Sequence, residues 1–236
     1  MKNSIFLIPL YNKSNTIQYT VEALKNKFEN VSSNEKFLFI ENESTDNSYE
    51  KVLSLTKNDP RFHIIKSKKG FGTAIRTGMN YLNQNFQLKD SILILTAADL
   101  PFGFSDLDYY FNKSPDQTSD LYIGSKAHKL SQIERSFLRV FLSKVFNFLI
   151  LIFFRVGIGD TQGTYIINLQ NVDLLKIIPK SNSFFATAEI CIKAIHSGYK
   201  VTEIPIVCEE SDIDSSVRVF KDTFKMLQEM LVFKFK

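Results

Sequence analysis

Residues 5–24 read IFLIPLYNKSNTIQYTVEAL and contain the pattern that predicts the fold. Ile5–Ile8 is a short apolar run ended by Pro9, which is consistent with a buried strand. After the polar turn Tyr11–Asn15, apolar residues recur at positions 17, 21, 24 and 28, which is helical spacing. A strand, a polar turn and an amphipathic helix in this order predict the first unit of an α/β fold.

The same unit recurs along the first half of the chain. Further buried strands are predicted at 37–40, 62–65 and 92–95, with helical segments that end near Leu55 and Leu82 between them. Ser44, Thr45 and Asp46 offer N-caps for the first of these helices. The alternation indicates parallel pairing in a doubly wound sheet, whose ligands bind at the carboxyl ends of strands. The turns after these strands should therefore converge on one cleft.

The second half has a less regular pattern. It predicts strands at 120–125, 164–168 and 201–207, and helices at 131–154, 170–178, 186–197 and 216–233. Neither an internal repeat nor a low-complexity linker interrupts the chain. We expect one α/β domain over residues 1–236, with a nucleotide half over about 1–120 and an acceptor half over about 121–236.

Composition narrows the possible partners. Hydrophobic residues make up 44% of the 236 residues, enough for a sizeable core, and the net charge of +4 is too small to argue for a nucleic-acid partner. Cys191 and Cys208 lack metal-ligand spacing and lie in apolar stretches, so both are predicted to be buried free thiols. Met1 leads directly into a strand-like segment without a signal-peptide pattern, which predicts a cytoplasmic protein.

Six ordered segments resemble the family 2 glycosyltransferases, especially the branch that glycosylates polyprenyl phosphates such as dolichyl phosphate. They are IPLYNKSNTI (8–17), IENESTDNS (40–48), KKGFGTAIRTGMNYL (68–82), LTAADLP (95–101), GDTQGTYII (159–167) and FATAEICIKAIHSGYKVTEIPI (185–206). The resemblance implies a GT-A (Rossmann-like) fold, with a mostly parallel sheet and helices on both faces. It also implies a nucleoside-diphosphate-sugar donor and inversion at the anomeric carbon.

The resemblance assigns donor-binding roles to residues in the first three turns. Those in the first two turns are Pro9, Tyr11, Asn12, Glu41, Asn42, Ser44 and Asp46. Relatives usually have D-D-G-S-x-D where this chain has Glu41 and Asn42 at the leading positions. A glutamate still accepts from ribose hydroxyls, and an asparagine pairs with a base without charge. A helix-capping loop remains the alternative for Ser44 and Asp46.

The third turn carries Lys69, Gly72 and Arg76, which we expect to contact the base or the pyrophosphate. The turn is not a dinucleotide fingerprint, because Ile75 stands where that motif has Gly or Ala.

The fourth turn, Ala97-Ala98-Asp99, corresponds to D-A-D in relatives, where two aspartates surround the divalent cation on the donor diphosphate. This chain retains Asp99, for which the resemblance implies a catalytic and metal-binding role, and Ala98 is assigned to the donor. One carboxylate with substrate phosphates and water can hold Mg²⁺, so Mg²⁺ or Mn²⁺ is the expected cofactor. A metal-independent or altered site is the alternative.

Acceptor residues are expected on a helix in the second half. Arg139, Ser143 and Asn147 occur at i, i+4 and i+8, which places them on one face, and their spacing resembles R-x-x-x-S-x-x-x-N in polyprenyl-phosphate glycosyltransferases. In those relatives the first two contact the acceptor phosphate. Lys126 replaces an arginine usual there and is a second candidate phosphate contact. The alternative is a helix that tolerates a few polar positions.

The last motif residues are acidic or amide side chains. Asp160 and Gln162 match the family's D-T-Q segment, and Glu189 matches its F-x-x-E segment; Asp160 and Glu189 are the candidate bases if the acceptor is a sugar hydroxyl. Glu203 is interpreted as a structural acid. The family's closing R-x-x-G-x-S-K leaves only Ser216 and Arg218 as remnants.

These motifs predict transfer of a hexose-type sugar from a UDP- or GDP-sugar to a polyprenyl phosphate. A saccharide hydroxyl acceptor in surface-polysaccharide synthesis and a non-catalytic nucleotide-sugar-binding module are the alternatives. Phe148–Phe154 is apolar but too short to span a bilayer, and basic residues interrupt the wider stretch. Peripheral contact with the inner face of the cell membrane and core packing explain this stretch equally well.

Overall fold

The computed structural model describes residues 3–29, 35–112, 118–134, 137–208 and 219–235. The strands are β1 (Asn3–Leu10), β2 (Glu35–Glu41), β3 (Phe62–Lys66), β4 (Ser91–Leu95), β5 (Leu121–Gly124), β6 (Gln132–Ile133), β7 (Thr164–Asn168), β8 (Val201–Ile204) and β9 (Val207–Cys208). The helices are α1 (Ile17–Lys27), α2 (Ser48–Thr56), α3 (Phe71–Asn85), α4 (Ser105–Asn112), α5 (Phe137–Phe154), α6 (Leu174–Ile177), α7 (Phe185–His196) and α8 (Val219–Phe235).

Seven strands form one sheet in the order β3-β2-β1-β4-β7-β5-β8. β1 pairs in parallel with β2 and β4, β2 with β3, and β5 with β8, whereas β7 is antiparallel to β4 and β5. The predicted mostly parallel α/β sheet is confirmed. The segment 125–163, which contains α5, returns the chain to the sheet in the opposite direction, so strand alternation alone does not predict the direction of β7. Since β7 pairs with β4, both halves of the chain share this sheet.

Alternate residues of the central strands pack into two separate apolar cores, one on each face of the sheet. Ile5 and Leu7 of β1 pack with α3, α5, α7 and α8, whereas Phe6 and Ile8 pack with α1, α2 and α4. This arrangement confirms helices on both faces. It also explains why the central strands consist of nearly continuous apolar runs, since both faces of each strand are buried.

Several predicted element boundaries are wrong. The helix expected from residue 131 begins at Phe137, because Gln132–Ile133 instead forms β6, paired in parallel with β9. The strand expected over 201–207 divides into β8 and β9 at Pro205, which has no N–H to donate to a strand partner. The N-cap of α2 is Asn47, not an earlier residue of its turn.

Neither Cys191 nor Cys208 forms a disulfide among the described residues. Cys191 is buried, and burial raises the pKa of its thiol to about 12, whereas Cys208 is only half-buried.

Helices α5 and α8 contact each other and together expose a broad apolar surface, called here the α5/α8 face. Its exposed side chains are Phe137, Leu138, Phe141, Val145, Phe148, Leu151 and Ile152 on α5, and Phe224, Leu231, Val232 and Phe235 on α8. Within the described ranges, α5 alone has the length and apolar composition of a membrane-crossing helix, and these two properties are also found in core helices. Since only 22% of α5 is buried, core packing accounts for a minor part of its apolar sequence.

Candidate active-site cleft

The carboxyl ends of β1, β2, β3 and β4 open into one cleft of about 590 Å³. Tyr11 and Lys13 follow β1, Asn42 follows β2, Lys69 follows β3, and residues 95–99 end and follow β4. The predicted convergence of the four turns is therefore confirmed. A larger and more open depression, of about 870 Å³, lies beside α2 and the start of β3, away from these turns.

The charge of the cleft favours anionic ligands. Among the described residues that line it, the cations are Lys13, Lys69, Lys126, Arg139 and Lys225. The acids among the same residues are Asp99 and Asp222. A concave site with this cation excess attracts phosphate groups and raises their local concentration.

The end of the cleft formed by β1, β2 and β3 combines an aromatic ring, an amide and an ammonium. Lys69 Nζ lies 4.8 Å from the centre of the Tyr11 ring. The side-chain oxygen of Asn42 accepts from the backbone N–H of Gly70 at 2.8 Å. Gly70 has a φ of +132°, and a Cβ there would lie 2.7 Å from the backbone oxygen of Asn182, so this turn requires glycine. Pro9 also lines this end, as predicted.

Four predicted donor residues instead join the first two turns to each other. Ser44 Oγ accepts from the backbone N–H of Asn12, and Asp46 accepts from the backbone N–H of Ser14. Glu41 is buried beneath the second turn and accepts from the backbone N–H of Ser44 at 2.5 Å. Asn12, Glu41, Ser44 and Asp46 are absent from the described cleft lining. They position Tyr11, Lys13 and Asn42, because their polar atoms are used to hold the turns.

Gly72 and Arg76 also differ from the donor-binding role expected of them. A Cβ on Gly72 would lie 2.3 Å from the backbone oxygen of Ser181, so this glycine is needed for close packing and not for approach to a pyrophosphate. Arg76 donates to the backbone oxygen of Lys180 at 2.7 Å and to the Asn182 side chain at 2.8 Å. Both residues therefore hold the loop of residues 180–183, part of which lines the cleft.

Asp99 lies in the cleft but is paired with a cation from another turn. Its Oδ2 atom lies 2.9 Å from Lys13 Nζ; Asp99 is 37% exposed and Lys13 only 7%. Ala97 and Ala98 line the cleft beside Asp99, and the backbone oxygen of Ala98 accepts from Thr20 Oγ1 at 2.6 Å, which anchors this turn to α1. Among the residues that the structure describes, there is no cluster of three His, Cys, Asp or Glu side chains suited to a metal.

Lys126 lines the cleft and is positioned by a buried acid. Its Nζ atom is 2.7 Å from Asp160, which also accepts from the backbone N–H groups of Lys126 and Gln162. Burial alone raises the pKa of Asp160, but the Lys126 ammonium and these hydrogen bonds outweigh it and hold the pKa below its ordinary value. Asp160 is therefore ionised and committed to its partners. It positions Lys126 and Gln162, both of which line the cleft, and is poorly placed to act as a base.

The predicted row of polar residues on α5 divides into two roles. Arg139 and Ser143 line the cleft. Asn147 is buried; its amide donates to the backbone oxygen of Ser143 and accepts from both the backbone N–H and the hydroxyl of Thr161. The same face of α5 thus directs Arg139 and Ser143 towards the cleft, whereas Asn147 is buried against Thr161.

Glu189 is not in the cleft, contrary to the catalytic role expected of it. Its carboxylate has no exposed surface, accepts from Lys180 N, Ser181 N and Ser181 Oγ, and lies 2.6 Å from Lys193 Nζ. Burial alone raises the pKa of Glu189, but these partners together hold it below its ordinary value. Glu189 therefore anchors the 180–183 loop from inside the protein.

Glu203 holds strand and loop together, as predicted. Its carboxylate accepts from Ser125 Oγ, Gly159 N and Asp160 N. Ser216 and Arg218, the remnants of the closing motif, lie outside the described residues.

Sequence reasoning missed two of the cations that line the cleft. Lys13 has a detectable signal, since it is the first cation after the Tyr11-Asn12 turn at the carboxyl end of a predicted strand. Lys225 of α8 also lines the cleft. The helical pattern of α8 does not show which side of the helix faces the cleft, because the cleft is built from segments far apart in the chain.

Comparison with known proteins agrees with this geometry. Residues 5–168 match the family model described as Glycosyl transferase family 2. CsbB of Bacillus subtilis (strain 168), named provisionally as a glycosyltransferase, is 25% identical over 180 residues, which are 75% of this chain and 52% of CsbB. YkcC of the same organism, named an uncharacterized glycosyltransferase, is 33% identical over 96 residues, which are 40% of this chain and 28% of YkcC. The chain thus spans about half the length of CsbB and less than a third of the length of YkcC.

Solved structures share the fold at low sequence identity. Glucosyl-3-phosphoglycerate synthase from Mycobacterium tuberculosis in complex with phosphoglyceric acid superposes with a TM-score of 0.70 at 10% identity, covering 99% of this chain and 80% of that chain. Its complex with Mn²⁺, UDP and phosphoglyceric acid gives a TM-score of 0.69 at 10% identity, covering 98% and 78%. The GT-A fold is confirmed. Because the family model covers more than half of the chain, this protein belongs to glycosyl transferase family 2.

Proposed function

We propose that this glycosyltransferase moves a sugar, with inversion, from a nucleoside-diphosphate sugar to a polyprenyl phosphate. One observation carries the choice of acceptor. Arg139 and Ser143 line the cleft from the same helix whose other sides expose Phe141, Phe148 and Ile152. A lipid phosphate suits this arrangement, because its headgroup can enter the cleft while its hydrocarbon chain lies along the apolar side chains of the α5/α8 face.

The donor would occupy the end of the cleft formed by the first four turns. Tyr11 and Asn42 offer stacking and hydrogen bonding for a base, and Lys13 and Lys69 are cations for the diphosphate. UDP is the first nucleotide to test, since the structurally similar mycobacterial synthase has been crystallised with UDP; GDP is the second. A Mg²⁺ or Mn²⁺ requirement stays a prediction for this chain.

The proposed reaction needs little from a general base. A phosphate monoester is already ionised at neutral pH, so one of its oxygens can attack the anomeric carbon directly. The bond from that carbon to the donor diphosphate breaks, and the nucleoside diphosphate leaves with the electron pair. Arg139, Ser143 and Lys126 would hold the attacking phosphate in line, and the donor-side cations would stabilise the charge on the leaving group.

A saccharide hydroxyl acceptor would require a base, and the two residues expected to supply it are bound to other groups. Asp160 and Glu189 are buried and ion-paired. The carboxylates among the described cleft residues are Asp99, paired with Lys13, and Asp222. This acceptor and a non-catalytic binding module are kept as outcomes of the experiment.

The test incubates the protein with UDP- or GDP-sugars and a short-chain polyprenyl phosphate in detergent, and measures glycolipid by mass spectrometry. Arg139→Ala is expected to raise KM for the lipid phosphate at least tenfold, because the loss of a charge-assisted contact costs roughly 1.5–3 kcal/mol. Lys144→Ala is the matched control, since Lys144 is an exposed cation on the same helix and is not among the cleft residues.

If an oligosaccharide is glycosylated and the lipid phosphate is not, the acceptor is a saccharide hydroxyl. Nucleotide binding without any product would support the non-catalytic module. Equal KM values for both variants would show that Arg139 does not bind the acceptor.

We also propose that the α5/α8 face rests on an anionic bilayer at the cytoplasmic side of the membrane. The exposed apolar side chains lie beside exposed cations on or next to the same helices, namely Lys144, Arg155, Lys221, Lys225 and Lys234. The acids of α5 and α8, Asp222 and Glu229, are only partly exposed. A surface with this combination binds an interface by apolar burial together with attraction to anionic headgroups.

Vesicle flotation tests this contact with phosphatidylcholine alone and with phosphatidylcholine mixed with phosphatidylglycerol. Phe148→Glu should reduce flotation with the mixed vesicles, and added salt should weaken the wild-type interaction. Phe111→Glu on α4 is the control, because Phe111 is also exposed but α4 packs on the opposite face of the sheet from α5 and α8. Equal flotation of both variants would contradict the assignment of this face.

A further inference from the structure

The turn after β4 lacks the donor set of a divalent-cation site. Ala97 contributes no side-chain ligand where relatives usually have an aspartate, and Asp99 Oδ2 is already 2.9 Å from Lys13 Nζ. A metal at Asp99 would have to approach the ammonium group closely or displace it. Like charges at such a separation repel, so the residues present do not fit a chain-bound Mg²⁺ or Mn²⁺.

Lys13 is held in position from several directions. Its backbone N–H donates to Ser48 Oγ at 2.7 Å, and its backbone oxygen accepts from Ile17 N at 2.9 Å. Its side chain is only 7% exposed yet lines the cleft with Asp99. The opposite turn is anchored to α1 through Thr20 and Ala98. The backbone of Lys13 is thus fixed against α1 and α2. Burial and the contact with Asp99 restrict its side chain, so little side-chain freedom is left to lose when a ligand binds.

An ammonium group can bridge a carboxylate and a phosphate. A lysine ammonium has three N–H donors, so one ammonium can contact a carboxylate and a phosphate together, and Asp99 Oδ2 is the carboxylate oxygen that Lys13 contacts here. A magnesium ion usually holds a donor diphosphate in the same way, with a carboxylate on one side and phosphate oxygens on the other. Lys13 and Asp99 therefore have the geometry of a resident cation with its carboxylate ligand.

We propose that Lys13, held by Asp99, takes the place of the divalent cation and binds the donor diphosphate, so that this chain binds its nucleotide without metal. The inference rests on the proposed nucleotide-sugar donor. Lys69, which lines the same end of the cleft, supplies a second positive charge toward the diphosphate.

Isothermal titration calorimetry with UDP and with GDP tests this assignment, in EDTA and then in Mn²⁺ or Mg²⁺. For the nucleotide that binds more tightly, the wild-type Kd should change by less than about threefold between EDTA and metal. Lys13→Met should weaken binding in EDTA by at least about tenfold, and Lys13→Arg, which keeps the charge, should weaken it much less.

A double variant, Ala97→Asp with Lys13→Met, restores the aspartate pair and removes the competing cation. It should bind the nucleotide in Mn²⁺ and lose that binding in EDTA, which also shows that a chain without Lys13 still folds. The melting temperature of each variant without ligand provides a second check of folding.

The outcomes separate the inference from the function on which it rests. Wild-type binding that EDTA abolishes would overturn the role of Lys13 and leave the nucleotide-sugar donor intact. Unchanged binding by Lys13→Met in EDTA would overturn the inference in the same way. Failure of the wild type to bind either nucleotide, with or without metal, would overturn both.

Discussion

Replacing Glu189 by alanine is expected to destabilise the fold and not to remove a catalytic base. The fully buried carboxylate accepts three hydrogen bonds from Lys180 and Ser181 and pairs with Lys193. Removing one partner of a buried ion pair costs about 3–5 kcal/mol, because the other charge is left uncompensated. For a chain of this size, that cost corresponds to a fall in Tm of roughly 6–20 °C.

Urea unfolding and thermal melting measure the stability of Glu189→Ala, Glu189→Gln and the wild type. Glutamine keeps the shape and one acceptor oxygen but loses the charge, so its free energy of unfolding should lie between those of the other two proteins. Glu50→Ala is the matched control, since Glu50 is an exposed acid on α2 and should change stability by less than about 0.5 kcal/mol.

Activity is then measured well below the Tm of the weakest variant. Glu189→Gln should keep turnover of the folded protein within about tenfold of the wild type, because its side chain is absent from the described cleft lining. The structural interpretation is refuted if Glu189→Ala unfolds like the wild type but has lost all activity. That result would return Glu189 to the role of a base.

Three further predictions follow from the same contacts. Gly72→Ala should cost about 1–3 kcal/mol of stability and weaken nucleotide binding, because its Cβ would lie 2.3 Å from the Ser181 oxygen. Gly157→Ala is the control, since the space around Gly157 is open. Equal Tm values for the two variants would contradict the predicted clash at Gly72. Asp160→Asn should raise KM for the acceptor phosphate by releasing Lys126, and an unchanged KM would show that Lys126 needs no such support. The lowered pKa of Asp160 contributes stability that is present above its ordinary value of 3.8 and is lost as the pH falls through the folded pKa. Thermal melts between pH 7 and 3 should therefore show a smaller acid-induced loss of Tm for Asp160→Asn than for the wild type.

The membrane and metal proposals are independent of each other. The first depends on the exposed side chains of α5 and α8, and the second depends on Lys13 and Asp99 inside the cleft. If the protein binds UDP without metal but does not bind vesicles, the donor assignment stands. The proposed lipid acceptor would then lose the support of membrane contact.

The amino-acid sequence by itself determined the first four strands, the helices between them and the place of the cleft. Apolar runs such as Ile92–Leu95 and the helical spacing after Thr16 are local properties, and a strand or helix needs only local spacing to be recognised. The parallel arrangement then brings the turns after β1, β2, β3 and β4 together, because parallel strands end at one edge of the sheet. Glu203 was also assigned correctly, as an acid next to a strand end.

Only the tertiary structure decided which polar residues face the ligand. Arg76 contacts the backbone of Lys180, more than one hundred residues away, and Lys13 meets Asp99 from another turn. Glu189 occurs in a family motif, yet it is buried under the loop that Gly72 and Arg76 also hold. A motif gives the position of such a residue along the chain. The direction of its side chain depends on partners that folding brings together from distant parts of the chain. The local spacing of residues does not identify those partners.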